Sequence, residues 1–144
     1  DVAKFDSLFA ANVRAPYLLV AGLAPGMATR GHGSIINIGS MAAAVGLAAG
    51  AAYGATKAAL VTLAKAWAAE YSAHGVRVNT VAPGPVAPTG KEPSDVITFL
   101  ATTTAMKRAA TADEIAEVVA FLASDRAAYV TGALIPVDGG RTAI

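Results

Sequence analysis

Several absences limit what this 144-residue sequence can be. It has no cysteine, which excludes a disulfide scaffold and cysteine-ligated zinc and fits a reducing, cytoplasmic location. Only 15% of the residues are charged and 55% are hydrophobic, so the chain is not intrinsically disordered. The 11 Lys and Arg nearly balance the 10 Asp and Glu and form no basic run, so we expect no nucleic-acid partner. The longest uncharged stretch, residues 31–56, contains six glycines, so we expect no membrane span.

The hydrophobic pattern predicts helices and strands that alternate within one domain. Apolar residues recur at helical spacing in some segments and cluster in short β-branched runs in others. We therefore predict helices over 3–27, 52–74 and 96–105, a further helix that starts with a capping box of Thr111 and Glu114, and strands over 34–38, 76–82 and 133–137. The first strand is predicted to be buried on both faces, and Pro136 confines the last to a sheet edge or a strand end. Strands separated by helices indicate parallel crossovers and an α/β layered fold.

Tyr53 and Lys57 are four residues apart on the second long helix, so their side chains lie on one face of it. A tyrosine hydroxyl normally has a pKa of about 10, and a shift to about 7 requires about 4 kcal/mol. A lysine ammonium about 4 Å away supplies about 4 kcal/mol at an effective dielectric constant of about 20. The pair could therefore act as a general acid and base, although the same spacing also occurs on ordinary exposed helix faces.

Three further features lie where a site could form. Ser40 follows the first strand at its carboxyl end, where open α/β sheets bind ligands, and could donate a hydrogen bond to a substrate carbonyl oxygen. Pro83 and Gly84 end the second strand, and a glycine there admits a ligand close to the backbone. Because Pro16 has no N–H, the carbonyl of Asn12 loses its helical partner and could hold a water molecule. Each feature also has a plain structural explanation, as a loop serine, a strand-ending turn and a helix kink.

We expect no metal site. His32 and His74 lie at glycine-rich ends of elements and away from any acidic cluster. Asp113, Glu114 and Glu117 are explained most simply as charges at the start of a helix.

In their order and spacing, these motifs resemble the classical short-chain dehydrogenase/reductase family. Ser40 lies 28 residues after Asn12 and 13 residues before Tyr53, and both spacings are typical of that family. The matching segments are Asn12 in its helix, INIGS at 36–40, YGATK at 53–57, VNTVAPG at 78–84 and VTGALIPVDGG at 130–140. The closing Asp-Gly-Gly is similar to 3-oxoacyl-carrier-protein reductase-like and glucose-dehydrogenase-like members. The resemblance implies the C-terminal part of a Rossmann-like, doubly wound parallel sheet, with about three strands and flanking helices.

The resemblance also implies a role for each catalytic position. Tyr53 would be the acid/base of a hydride transfer between a nicotinamide and a small carbonyl or alcohol substrate. Lys57 would favour the phenolate and hold the nicotinamide ribose, and Ser40 would orient and polarise the substrate oxygen. Asn12 would hold a proton-relay water through its main-chain carbonyl.

By the same resemblance, NAD or NADP would bind against the end of the second strand. Pro83, Gly84 and Val86 would line the nicotinamide, with the backbone of Val86 near its carboxamide. The family's threonine after this turn falls on Pro88 here, so Thr89, one residue later, is the candidate for that role. The loop from residue 87 to about residue 105 would be a substrate lid, and the two long helices would form a homo-oligomer interface.

One part of the family pattern is missing. The opening strand, TGxxxGxG phosphate loop and helix are absent, so residues 1–144 are expected to form a single partial domain without the dinucleotide phosphate-binding half. The residue that selects NAD or NADP belongs to that half, so both cofactors stay open.

The alternatives to an oxidoreductase are a truncated or degenerate non-catalytic half that serves as a subunit or interaction module, and an extended relative such as a sugar-nucleotide epimerase. The short tail after Asp-Gly-Gly argues against the epimerase. Without the missing half, strand 34–38 is an apolar sheet edge, which predicts self-association of this chain.

Overall fold

A three-stranded parallel sheet with helices on both faces forms the centre of the computed structural model, which describes all 144 residues. The strand order is β1-β2-β3, which confirms the predicted α/β fold with parallel crossovers. The strands are β1 (Gly33–Ile38), β2 (Val76–Pro83) and β3 (Leu134–Val137). The helices are α1 (Val2–Phe9), α2 (Ala15–Arg30), α3 (Ala51–Tyr71), α4 (Asp95–Thr102) and α5 (Ala112–Ala123).

The first two helices form one continuous rod, because a π-helical turn at Ala10–Arg14 joins α1 to α2. The rod ends at Arg30, three residues beyond the predicted end, where Gly31 adopts the left-handed conformation that closes a helix. By length and composition the rod could cross a membrane. In this fold it packs against the sheet and α3 through the buried residues Val20 and Ala24.

Helix α3 provides most of the core on one face of the sheet. Leu60, Ala64 and Trp67 form an apolar stripe that is buried against β2, and Leu63 and Tyr71 are partly buried beside it. Gly75 follows the 3-10 turn at Ser72–His74 that ends α3, and it adopts the left-handed conformation. A side chain at that position would collide with the backbone of Gly31, so the ends of α2 and α3 approach each other this closely because residue 75 is a glycine.

Helix α5 covers the opposite face of the sheet, where Leu122 packs with Val81. Its predicted capping box is confirmed: Thr111 Oγ1 accepts from the Glu114 N–H at 3.3 Å, and Glu114 Oε2 accepts from the Thr111 N–H at 2.9 Å. The Arg108 guanidinium also donates to both Glu114 carboxylate oxygens, at 2.6 and 2.7 Å. The bonds from Arg108, with those from Thr111, lower the pKa of Glu114 to about 2.

Both outer strands of the sheet have a free edge. Pro136 lies in β3, at one edge, as predicted. At the other edge, the two faces of β1 are covered as expected, with Ile35 packed on the α2–α3 side and Ile36 on the α5 side. Ile38 is nevertheless 48% exposed, because no strand pairs with the outer edge of β1.

The two ends of the segment predicted to be a lid, which begins at residue 87, lie next to each other and are hydrogen-bonded. The Ala87 N–H donates to the Ala110 carbonyl at 2.8 Å, and the Ala110 N–H donates to the Pro85 carbonyl at 2.9 Å. These two bonds close the base of a loop that carries α4, which ends three residues earlier than predicted. The loop therefore stands on a fixed base beside the carboxyl end of β2.

Candidate functional site

The carboxyl ends of the three strands bring most of the predicted site residues to one end of the sheet. Ser40 follows β1, Pro83 is the last residue of β2, and Gly84 and Val86 follow it. The register pairs Ile38 with Val81 and Pro83 with Val137, so β2 and β3 end at the same level and β1 ends two residues earlier. This end is the usual ligand-binding edge of an open parallel sheet.

Helix α3 carries Tyr53 and Lys57 on one face, next to the end of β1. The Lys57 ammonium donates to the Ile38 carbonyl at 2.9 Å and lies 5.7 Å from the centre of the Tyr53 ring, within cation–π range. Partial burial removes water from the ammonium and lowers the pKa of Lys57. The Tyr53 side chain is 36% exposed and its hydroxyl forms no hydrogen bond within the chain. The pair therefore presents an accessible phenol beside a cation that the backbone of β1 holds in place.

Gly54 allows the start of α3 to lie against the Ser40 loop. A Cβ at this position would be 2.8 Å from the Ala42 carbonyl oxygen, which is a backbone atom and cannot easily move away. Ser40 Oγ in turn accepts a hydrogen bond from the Ala42 N–H at 3.1 Å. That bond occupies an acceptor lone pair and leaves the Ser40 hydroxyl proton free to donate, as the predicted role requires.

Asn12 lies in the π-turn, and this turn packs against α3, the helix that carries Tyr53 and Lys57. Pro16 has no N–H, so the Asn12 carbonyl lacks the donor that an α-helix would provide four residues later. The Asn12 side chain is fixed, because its Nδ2 donates to Thr56 Oγ1 at 3.1 Å. A groove of about 310 Å³ between α2 and the free edge of β1 has Asn12, Asn37 and Lys57 as its polar lining. Asn12 and Lys57 therefore face a common space.

The turn after β2 leaves one residue with unused backbone groups. The two bonds that join this segment to Ala110 use the Pro85 carbonyl and the Ala87 N–H, and neither the N–H nor the carbonyl of Val86 forms a hydrogen bond within the chain. Packing also requires a glycine at position 84, since a Cβ there would be 2.7 Å from the Asp138 Cα. Thr89 is exposed in a turn, and its hydroxyl forms no hydrogen bond.

Two residues with a clear place in this geometry were missed by the sequence reasoning. Thr56 is fully buried and contacts Asn12, and Gly54 sets the distance between α3 and the Ser40 loop. Both lie inside the YGATK segment, but only Tyr53 and Lys57 have side chains whose chemistry the spacing can reveal. The structure also contains no group of three or more His, Asp or Glu side chains placed to hold a metal ion.

The fold and the site together define an α/β protein whose candidate ligand site lies at the carboxyl ends of its parallel strands. The sequence model of the Enoyl-(Acyl carrier protein) reductase family matches residues 1–142. The chain belongs to this family, within the short-chain dehydrogenases/reductases.

Two relatives from Xanthobacter autotrophicus match the whole chain. The 2-(S)-hydroxypropyl-CoM dehydrogenase 3 is 43% identical, and the match covers 60% of that protein. The protein named inactive 2-(S)-hydroxypropyl-CoM dehydrogenase 2 is 41% identical, with 66% of it covered. The chain thus spans less than two thirds of the length of these relatives.

Solved structures give the same result for the fold. A short chain dehydrogenase/reductase family protein, 48% identical, matches with a TM-score of 0.90 over 100% of this chain and 60% of its own. Gluconate 5-dehydrogenase from Burkholderia cenocepacia, solved with NADP and tartrate, is 29% identical with a TM-score of 0.93 over 100% of this chain and 58% of its own. NAD+-bound xylitol dehydrogenase is 28% identical, with a TM-score of 0.89 over 97% and 61% of the two chains.

Proposed function

We propose that this chain is the part of an NAD(P)-dependent oxidoreductase that contains the catalytic residues, and that the enzyme interconverts a carbonyl compound and its alcohol. The observation that carries the proposal is the Tyr53–Lys57 pair, anchored to the end of β1 by the 2.9 Å bond from Lys57 to the Ile38 carbonyl. Relatives named as dehydrogenases and neighbours solved with NADP and NAD+ support a nicotinamide cofactor. The same neighbours leave NAD and NADP as equal candidates.

The free polar groups at this end of the sheet fit a nicotinamide ribonucleoside. A carboxamide has one donor group and one acceptor, and Val86 offers an unused carbonyl and an unused N–H. Ribose hydroxyls can accept from an ammonium, and the Lys57 ammonium uses only one of its three protons on Ile38. Pro83, Gly84 and Thr89 would complete the surface against which the nicotinamide ring packs. When bound there, the nicotinamide supplies hydride to the carbonyl carbon or takes it from the alcohol.

The residues of the chain move the proton. In the reducing direction Tyr53 donates its hydroxyl proton to the substrate oxygen as the carbon–oxygen double bond becomes single. Ser40 donates a hydrogen bond to the same oxygen and so orients it. The Lys57 ammonium stabilises the phenolate that remains, and a water held by the Asn12 carbonyl returns a proton through Lys57. In the oxidising direction the same groups accept the proton.

An activity assay with a matched tyrosine control tests the proposal. NADH and NADPH oxidation is followed with a panel of small carbonyl compounds, on this chain and on any longer protein that contains it. Tyr53→Phe should lower kcat about 10²- to 10⁴-fold, because it removes the acid but keeps the ring. Tyr71→Phe, at the far end of the same helix, should keep wild-type kcat. Equal kcat for Tyr53→Phe and wild type, or no turnover by a folded protein with either cofactor, would overturn the proposal.

A non-catalytic half that serves as a subunit or interaction module is the second candidate. It is favoured by the 41% identity to a relative that is itself named inactive. A thermal-shift titration with NADH and NADPH separates the two candidates. A saturable rise in melting temperature supports the oxidoreductase, and a folded protein with no shift, both for this chain and for a longer protein that contains it, supports the non-catalytic half.

We also propose that the protein forms a homo-oligomer through its two long helices. An open, largely apolar groove of about 710 Å³ on their outer surface is lined by residues that include Phe9, Val13, Tyr17 and Leu63, with Asp6, Ser7 and Arg14 as its polar lining. Tyr17 is half exposed although its ring lies 6.3 Å from that of Trp67. An exposed apolar groove between two helices is a typical contact surface.

A further inference from the structure

Thr56 lies between the two halves of the candidate acid–base machinery and touches both. It is fully buried on α3, one turn after Tyr53 and one residue before Lys57. Its hydroxyl donates to the Tyr53 carbonyl at 2.7 Å and accepts from Asn12 Nδ2 at 3.1 Å. A carbonyl can only accept, so the single hydroxyl proton is committed to Tyr53 and Asn12 must be the donor in the second bond.

The bond between Asn12 and Thr56 is the only side-chain hydrogen bond that joins the α1–α2 rod to α3. The remaining contacts between these helices are apolar and include Val20, Ala24 and Leu60. Apolar contacts are non-directional and permit small shifts along a helix, whereas a hydrogen bond fixes distance and angle. The position of the π-turn relative to Tyr53 and Lys57 therefore depends on this one directional contact.

We propose that Thr56 is a positioning residue that sets the Asn12 carbonyl at its working distance from Lys57. This inference rests on the proposed function, in which that carbonyl holds the water that returns a proton to Lys57. Thr56 is not a catalytic residue, because its complete burial keeps it from substrate and cofactor. Loss of the hydroxyl leaves the Asn12 amide without its acceptor and releases the π-turn to shift.

Two substitutions separate the hydroxyl from the shape of the side chain. Thr56→Val keeps the shape and removes the hydroxyl, and Thr56→Ser keeps the hydroxyl and removes a methyl group. Thr62→Val is the matched control, because Thr62 is exposed on the same helix and its hydroxyl contacts only its own helix, at the Ala58 carbonyl. We expect Thr56→Val to lower kcat about 10- to 100-fold and to displace the pH–rate profile, while KM for the cofactor changes less than about twofold. Thr56→Ser should restore kcat and the profile to near wild type.

A measurement that needs no turnover is made on the same variants. The NMR resonance of the Asn12 backbone amide and the titration of the Lys57 ammonium report the geometry of the π-turn. Thr56→Val should move both, whereas Thr56→Ser and Thr62→Val should leave both unchanged. A wild-type amide resonance and Lys57 titration in Thr56→Val would overturn the inference, as would a Thr56→Ser variant as impaired as Thr56→Val.

The two readouts also distinguish this inference from the proposed function. If the wild-type protein has no oxidoreductase activity but Thr56→Val moves the Asn12 and Lys57 signals, the proposed function fails and the positioning contact stands. If the wild-type protein is active and the Thr56→Val variant has the same kcat and pH profile as the wild type, the positioning role of Thr56 fails and the proposed function stands.

Discussion

Lys57 is the residue whose charge the fold disfavours most clearly. Burial lowers its pKa below the ordinary value of 10.5, so the folded chain releases this proton at a lower pH than the unfolded chain does. Between those two pKa values the unfolded state binds more protons, and the free energy of unfolding therefore rises with pH. Lys57→Met removes this titration, so we expect its stability curve to be flatter than that of the wild type as the pH approaches 10.5 from below.

Urea unfolding at a series of alkaline pH values measures this difference. Lys65→Met is the control, because Lys65 is exposed on the same helix and forms no hydrogen bond or salt bridge. It should leave the wild-type pH dependence unchanged. Parallel curves for Lys57→Met and the wild type would show that burial does not shift this group.

At the scale of residues, the sequence reveals chemistry better than packing. The spacing of Tyr53 and Lys57 predicts a shared helix face because the helical period alone determines it. Thr56 has no such signal, since its partner Asn12 is 44 positions away and belongs to another helix. The Ile38 carbonyl that holds Lys57 is also invisible in the sequence, because every residue has a carbonyl. The roles assigned to all the candidate site residues stay predictions: Asn12, Ser40, Tyr53, Lys57, Pro83, Gly84, Val86 and Thr89.

The contact between α3 and the Ser40 loop depends on Gly54, and this gives a prediction at the scale of elements. An alanine favours a helix over glycine by about 0.5–1 kcal/mol, yet the added Cβ would be 2.8 Å from the Ala42 carbonyl oxygen. Because that oxygen belongs to the backbone, α3 or the loop must move. We expect Gly54→Ala to lower the free energy of unfolding by about 1–3 kcal/mol and to lower kcat in the proposed reaction.

Gly22→Ala is the matched control for this clash. Gly22 also lies inside a helix, but a Cβ there would meet nothing within 4 Å. The control should therefore stabilise the chain by about 0.5–1 kcal/mol in urea unfolding and leave kcat unchanged. Stabilisation of similar size by both substitutions would mean that Gly54 does not set the distance between α3 and the loop.

Helices and strands follow from the sequence where one residue type controls the backbone. Pro16 predicts a disturbed helix near Asn12, and Thr111 with Glu114 predicts the start of α5. The form of the disturbance, a π-turn instead of a kink, depends on how the rod fits against α3, so the local sequence does not determine it. The end of α4 is similar: after Thr102 the chain turns back toward the end of β3, where the Met106 N–H donates to the Gly139 carbonyl.

For the whole molecule, the sequence predicts parallel strands but only the structure orders them. Short β-branched runs separated by helices require parallel crossovers, whichever strand lies in the centre. β2 is the central strand, with a partner on each side, and most of its residues are buried. The two outer strands then differ, since β3 contains a proline that blunts its edge and β1 has none.

The free edge of β1 predicts that the 144-residue chain self-associates. The Gly39 N–H donates to Val81 across the β1–β2 pair, so alternation along a strand directs the N–H groups of Ile36 and Ile38 toward the open side. Leu19 and Leu23 line the groove beside this edge and are 62% and 55% exposed. Unpaired backbone groups next to exposed leucines form a surface that can pair with a second copy. We expect apparent mass to rise with concentration in size-exclusion chromatography with light scattering.

Two double variants identify which surface makes the contact. Leu19→Lys with Leu23→Lys places like charges in the groove and should abolish association through β1, because pairing would bring these charges together, and it should leave association through the long helices intact. Val13→Lys with Tyr17→Lys alters the outer groove of the long helices by the same chemistry and should leave association through β1 intact. Loss of association in the second variant alone would assign the contact to the helices. A wild-type chain that is a monodisperse monomer and melts cooperatively would contradict the prediction, because the edge of β1 would then be stable without a partner.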